Sequence, residues 1–236
     1  MCPMVRSTRS LENERTSRAI EDYLITIYRV LEAYGEARTT VIARELGVTP
    51  ATISKVLSKL VEKGLVRWAK YRGAELTEEG RRIAENIIRK HRIIEVWLKK
   101  YLNYSNFEVH RLAHLMEHLP DELVERIYIN IGKPSLCPHG NPIPGAAPDT
   151  LIESAKPLIE FGPGSRVRIA RVAGELASVL NIMEKLGIDV GYELYVTENN
   201  CGFINAKIFT GDEVSLPPHA AKAIMVIQIQ RRRKPT

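Results

Sequence analysis

Four of the six histidines of this 236-residue chain fall between positions 91 and 118, each within helical reach of a carboxylate or another histidine. The stretches are His91-Arg92-Ile93-Ile94-Glu95 and His110-Arg111-Leu112-Ala113-His114-Leu115-Met116-Glu117-His118. Residues three or four apart share a helix face. The spacing therefore lets His91 and Glu95 converge on one ion, and His114, Glu117 and His118 on another. Imidazole combined with carboxylate suits Mn²⁺, Fe²⁺ or Zn²⁺. The competing reading of such a cluster is a surface salt-bridge network, and spacing alone does not bring separate helices together. Asp22 is a further candidate, because it stands among the apolar Tyr23, Leu24 and Ile27, where a charge needs a partner. His139 and His219 stand in proline-rich surroundings and read as loop residues without a role.

The segments that must position these groups read as follows. From Thr16, the residues Ile20, Tyr23, Leu24, Ile27, Val30 and Leu31 recur at helical spacing up to Gly35. The dozen residues before them are polar, which predicts a mobile start. A short helix is expected over 40–46, ended by Gly47. Another follows Thr49, a natural N-cap with Pro50 at the first helical position, and runs to Gly64. Strands at 65–68 and 74–76 about Tyr71-Arg72-Gly73 form a hairpin signal. A long helix then reaches about Tyr101, and two more lie near 107–118 and 121–131. Proline density over 132–148 forbids helix and central strand and predicts a linker. Beyond it, strands at 166–172, 192–197, 203–208 and 223–229, with one helix near 175–186, suggest a small β-barrel on a tether.

Helix, short turn, helix and hairpin make a winged helix-turn-helix. Ala43 is small where the helices cross, Gly47 permits the turn, and Val48 and Ile53 are expected to close the core. The solvent face of the third helix offers Thr49, Ala51, Thr52, Ser54, Lys55 and Lys59, and the wing carries Arg67, Lys70 and Arg72. Short hydroxyls and an alanine let a helix sit deep in the major groove of double-stranded DNA, and lysine neutralises phosphate. The plain alternative is a three-helix core with a solvated basic face. Net charge of +6 and a pI near 9.2 favour a polyanionic partner, but weakly.

Cys2, Cys137 and Cys201 are far apart and form no CxxC pair, which argues against a zinc ribbon or a disulfide framework and for a reducing, cytoplasmic setting. No apolar run approaches the roughly 20 residues needed to span a bilayer, so no membrane partner is expected. A metallohydrolase would need a nucleophile elbow, phosphate loop or HExxH motif, and the chain has none, so it does not read as an enzyme.

Taken together, Glu21-Asp22-Tyr23-Leu24-Ile25-Thr26-Ile27-Tyr28, the helix-turn-helix, Leu76-Thr77-Glu78-Glu79-Gly80, Arg89 to Glu95, Glu117-His118 and His139-Gly140-Asn141-Pro142-Ile143-Pro144-Gly145 resemble the diphtheria toxin repressor family of metal-dependent regulators. The resemblance covers nearly the whole chain. It implies a mainly α fold with β: a winged helix-turn-helix at 1–77, a helical dimerisation and metal-binding domain at 78–132, a proline-rich linker at 133–154, and an SH3-like small β-barrel of the FeoA type at 155–231. Carried over by position, it implies a primary metal site of Asp22, His114, Glu117 and His118. It implies an ancillary site of His91, Glu95 and His110, with Glu175 a further ligand from the third domain. Iron-sensing members place methionine and cysteine where this chain has Asp22 and His114. Manganese-sensing members keep the aspartate but have glutamate at position 114 and a second carboxylate at Ile25. The donors expected here are all nitrogen and oxygen, which favours Mn²⁺ or Fe²⁺ in function, although raw affinity ranks Zn²⁺ higher. The implied protein is a homodimer that binds operator DNA when loaded with metal. The alternative within the same class binds DNA without regard to metal.

Overall fold

A helix that starts well before its apolar stripe anchors the molecule: α1 (Thr8–Tyr34) buries Leu24, Ile25, Ile27 and Val30 and stops at Gly35 in the left-handed region. The structure is a computed structural model that describes residues 8–69, 72–146, 154–208 and 211–229, with side chains from residue 18 onward. Helix α1 begins at Thr8, upstream of the expected Thr16. Lys70 and the first seven residues lie outside the described residues.

Helices α2 (Thr39–Glu45) and α3 (Pro50–Glu62) and strands β1 (Val66–Ala69) and β2 (Gly73–Leu76) complete the winged unit. Thr49 caps α3 by accepting the Thr52 N–H at 3.2 Å, with Pro50 at the first position, and β1 pairs antiparallel with β2, Val66 opposite Leu76. Ile42, Ile53, Leu57, Leu60 and Val66 close the core with α1. Val48 does not join them; it is 37% exposed at the turn, where Gly47 swings the chain outward.

Helix α4 (Glu78–Leu102) is capped by Thr77 and starts hard against the end of α3. A Cβ on Gly80 would lie 2.0 Å from the Leu65 carbonyl oxygen, so only glycine permits that approach. Helices α5 (Asn106–Met116) and α6 (Asp121–Asn130) pack on α4 through Ile93, Ile94, Leu98, Val109, Ala113 and Val124. Ile25 joins α1 to α4 at Ile87 and Ile88. The α5 helix ends at Met116, so Glu117 and His118 stand in the turn beyond it and not on the helical face expected for 107–118.

The proline-rich segment departs most from expectation. Residues 135–146 are folded onto the helical domain and are no free tether. The Cys137 N–H donates to Asn141 O at 2.9 Å and the Ile143 N–H to Ser135 O at 2.8 Å, and Ile143 is buried among the helices. Proline removes N–H groups but leaves carbonyls: Arg92 donates to Pro142 O and Arg89 to Pro144 O. The same loop holds the third domain, since the Val172 N–H donates to His139 O at 2.9 Å.

That domain is one antiparallel six-stranded sheet in the order β3-β8-β4-β5-β6-β7. Its elements are β3 (Lys156–Pro157), β4 (Arg166–Val172), α7 (Ala177–Leu186), β5 (Glu193–Asn200), β6 (Phe203–Ile208), β7 (Glu213–Leu216), α8 (Pro218–Ala223) and β8 (Ile224–Gln228). Its core, with Val167, Ile169, Leu180, Val196, Ile204 and Val226, is continuous with that of the winged unit. The contact is made by backbone: a Cβ on Gly174 (φ +71°) would lie 2.1 Å from the Arg29 carbonyl oxygen. Beside it, Glu45 of α2 accepts from the Ser178 N–H at 3.2 Å and its hydroxyl at 2.5 Å. The domain expected to move independently is thus fixed to α1 and α2.

Candidate metal centres

Glu117, fully buried at the C-cap of α5, is the hub of the first centre. It faces Asp22 of α1 and His118 of the following turn, and ligand atoms of all three lie within 4.8 Å of one another. His118 also turns its Nδ1 to Glu21, 2.9 Å away, a carboxylate next to Asp22 that is not among the expected ligands. Asp22, with Oδ1 3.6 Å from Nε2, outweighs burial and raises the His118 pKa. His114 stays at the rim, 52% exposed, with Nδ1 2.7 Å from Glu117 Oε1. It meets Glu117 but is not within 4.8 Å of Asp22 and His118 as well. Glu117 Oε2 accepts from His91 Nδ1 at 2.7 Å. Its Oε1, buried, has no aligned hydrogen-bond donor among the described residues.

His91 joins this centre to the next. Its Nε2 lies 2.9 Å from Glu95 Oε1 and 3.1 Å from His110 Nδ1, and His110 Nδ1 lies 3.1 Å from the same Glu95 oxygen. His91, Glu95 and His110 therefore converge as expected, from one turn of α4 and the facing turn of α5. Their electrostatics diverge. Burial and nearby Arg29 push the His91 pKa down, but Glu95 and Glu117 prevail and raise it to about 9. Burial lowers that of His110 to about 4, although Glu95 pulls the other way. Glu95 itself is buried, yet His139 and His91 hold it well below the usual carboxylate range.

The other oxygen of Glu95 opens onto a group that the sequence reading missed. Glu95, Cys137, His139 and Glu175 are all buried, with ligand atoms within 4.8 Å of one another. His139 Nδ1 lies 3.2 Å from Glu95 Oε2 and its Nε2 donates to Asn106 O at 2.9 Å. His139 is therefore no bland loop residue; burial lowers its pKa, and Glu95 more than reverses that. The Cys137 thiol donates to Glu175 Oε1 at 3.2 Å, and burial beside Glu175 and Glu95 pushes its pKa well up. The donors of this centre are not all nitrogen and oxygen, as expected, but include sulfur. The available signal was Cys137-Pro138-His139, two donors one residue apart at the head of the loop motif; proline density masked it.

Glu175 arrives from the third domain through a strained turn, with φ +43° next to Gly174 at +71°. Arg92, fully buried on α4, donates to Glu175 Oε1 at 2.7 Å and to Glu32 of α1 at 2.5 Å. Burial would raise the Glu175 pKa, but Arg92 dominates and lowers it to about 2.

A divalent transition ion suits these groups. Ionised carboxylates and imidazoles converge, a buried carboxylate oxygen of the first centre has His114 Nδ1 at 2.7 Å but no aligned hydrogen bond, and the second centre adds a thiol. On the opposite task, Thr49, Ala51, Thr52, Lys55 and Lys59 are exposed along α3, and Arg67 and Arg72 are exposed on the wing. Ser54 is half-buried and its hydroxyl donates to Pro50 O at 3.0 Å, which ties it to its own helix.

Comparison with known proteins agrees with this organisation. Residues 15–74 match the model for the N-terminal DNA binding domain of iron dependent repressors. Residues 77–145 match the metal binding and dimerisation domain of the same proteins, and residues 156–228 the FeoA domain. The iron-dependent repressor IdeR of Mycobacterium leprae is 32% identical over 222 residues, covering 89% of this chain and 96% of that protein. Among solved structures, a manganese-dependent transcriptional repressor in complex with manganese aligns at TM-score 0.69 and 32% identity, covering 89% of this chain and all of that one. The manganese regulator SloR aligns at TM-score 0.73 and 30% identity, over 89% and 98% of the two chains.

Proposed function

The chain belongs to the iron-dependent repressor family, and from that premise we propose that it is a metal-dependent transcriptional repressor. Loaded with Mn²⁺ or Fe²⁺, the homodimer binds palindromic operator DNA in the cytoplasm and controls metal-homeostasis genes. The observation that carries this reading is the meeting of Asp22, on α1, with Glu117 and His118, beyond α5, within 4.8 Å. These donors join a helix of the DNA-binding unit to the helical domain. Asp22, Glu117 and His118, with His114 at the rim, would hold the first ion. Glu95, Cys137, His139 and Glu175, with His91 and His110 on the far side of Glu95, would hold the second.

A bound divalent ion would supply a firmer cationic cross-link between elements that otherwise meet through His118 and the carboxylates of Glu21 and Asp22. Helix α1 packs on α2, and α2 on α3, so fixing α1 against the helical domain fixes the recognition helix. In a dimer that angle sets the separation of the two α3 helices, and roughly 34 Å, one DNA turn, lets both engage a palindrome. The metal-bound state is favoured to the extent that these donors bind the ion better in that arrangement. Leu115, 73% exposed, and the exposed Leu123 and Ile129 offer the helical domain apolar surface for a two-fold interface. No described helix is long and apolar enough to cross a membrane.

The test is operator binding measured with Mn²⁺, Fe²⁺, Zn²⁺ and chelator. Binding should rise with Mn²⁺ or Fe²⁺ and vanish in chelator. His118→Ala should shift the metal midpoint upward about tenfold or more, with the fold intact. Equal binding by the parent in chelator would replace this reading with a metal-independent DNA-binding protein. An unshifted midpoint in His118→Ala would remove the first centre from it.

A further inference from the structure

Arg29, on α1, is a buried cation beside both centres. It is 9% exposed, and its Nε and Nη2 are buried without a hydrogen bond among the described residues. Nη2 lies 3.9 Å from Glu117 Oε2 and Nε lies 3.9 Å from Glu175 Oε2. Arg92 meets the same Glu175 at 2.7 Å, the ordinary distance of a charge-assisted hydrogen bond. Arg29 is therefore held between one carboxylate of each centre by charge and not by bonding. Buried donors left without a bond are costly and call for a reason. Arg29 also lines a cavity of about 420 Å³ with Thr26, Leu46, Phe107 and Leu180, roomy enough for a displaced side chain.

We propose that Arg29 is a built-in competitor of the divalent ion, one guanidinium that shares Glu117 with His91 and Glu175 with Arg92 in the metal-free protein and yields by turning into this cavity. The proposal rests on the reading above that those carboxylates are metal ligands. Glu117 is bonded to His91 and Glu175 to Arg92, so Arg29 is a further buried cation, the one that reaches toward both carboxylates without a hydrogen bond. A guanidinium bonded to both carboxylates would be harder to displace; at 3.9 Å, Arg29 lends charge without that hold. An ion on either carboxylate would repel the guanidinium through a low-dielectric interior. Occupation of one centre therefore removes a competitor from the other, and the two sites fill with positive coupling. Arg29 sets both the threshold and the steepness of the response.

The experiment compares the parent with Arg29→Met, which keeps length and loses charge, and Arg29→Lys, which keeps charge. Mn²⁺ affinity is read by competition with a chelating dye, and the melting temperature is read on metal-free protein. Arg29→Met should bind Mn²⁺ about tenfold tighter or more, melt lower without metal, and fill its sites with weaker coupling. Arg29→Lys should stay near the parent. Parental or weaker affinity in Arg29→Met overturns the proposal, as does Arg29→Lys binding as tightly as Arg29→Met. If Arg29→Met is unfolded without metal, refolding on Mn²⁺ supports the exchange, and persistent unfolding at saturating Mn²⁺ overturns it. A parent that binds no Mn²⁺ defeats the metal reading as well, which separates that failure from the failure of Arg29 alone.

Discussion

His91 carries the sharpest consequence at the scale of single residues. Both ring nitrogens face carboxylates, Glu117 on one side and Glu95 on the other, and its pKa is raised to about 9. A histidine raised in the folded state stabilises it fully below the unfolded pKa, roughly 6.5. That contribution is lost as pH climbs through the folded value. Metal-free protein should therefore lose stability between pH 6.5 and about 9, on the order of 3 kcal/mol. The loss should disappear with saturating Mn²⁺, because a coordinated imidazole has already given up its proton. Thermal melts across that range, with and without Mn²⁺, measure it. A flat metal-free profile, or the same slope in His91→Gln, would mean that the ring is not held as an imidazolium.

Between elements, the seat of the third domain on α1 is made by Gly174. Its φ of +71° and the 2.1 Å approach of a Cβ to the Arg29 carbonyl leave no room for a side chain. Gly174→Ala should cost about 2 kcal/mol or more of stability, since strain and a backbone clash add. It should weaken Mn²⁺ binding at the centre that uses Glu175 and spare the one that uses Asp22. Gly187→Ala is the control: φ is +64°, but no atom lies within 4 Å of the added Cβ, so only the conformational cost of about 1 kcal/mol remains. Equal effects of the two substitutions in denaturant unfolding would show that the seat is unimportant. Element by element, the legible parts of the chain were those with a long period. The apolar stripe of α1, the Thr49-Pro50 start of α3, and the 166–172 and 203–208 strands were all readable, because each repeats a pattern over several residues. Strands β3 and β7, of two and four residues, are too short to show one. His91, Glu95 and His110 were readable because they lie on α4 and α5 at helical intervals. Cys137 and His139 were not, because a proline-rich loop has no period, and its fold is set by Arg89, Arg92 and the neighbouring domain. His114 and His118 each face Glu117 without grouping together, since the helical interval between them runs two residues past the end of α5 at Met116.

The whole molecule is one interlocked unit and not two parts joined by a tether, and a truncation shows what that means. A cut after Ala146 keeps Ile143 in the helical core and keeps Cys137 and His139, but removes Glu175. The shortened protein should remain dimeric, bind one Mn²⁺ fewer per chain, and need more Mn²⁺ to bind the operator. Sedimentation, dye competition and operator titration on the same preparation test this, and unchanged stoichiometry and midpoint would remove the third domain from sensing. Arg92 gives the same architecture a dimension in time. The chain is made from its N-terminus, and Glu175 follows Arg92 by 83 residues. At ribosomal speed that gap is on the order of ten seconds. Until it closes, Arg92 has Glu32 and the Pro142 carbonyl but lacks its second carboxylate, as in the shortened protein. The helical domain can pack meanwhile, but its second centre stays incomplete while the third domain is still being synthesised. A nascent chain is blind to the second ion until its last domain has folded, and the finished set point is a property that only complete molecules possess.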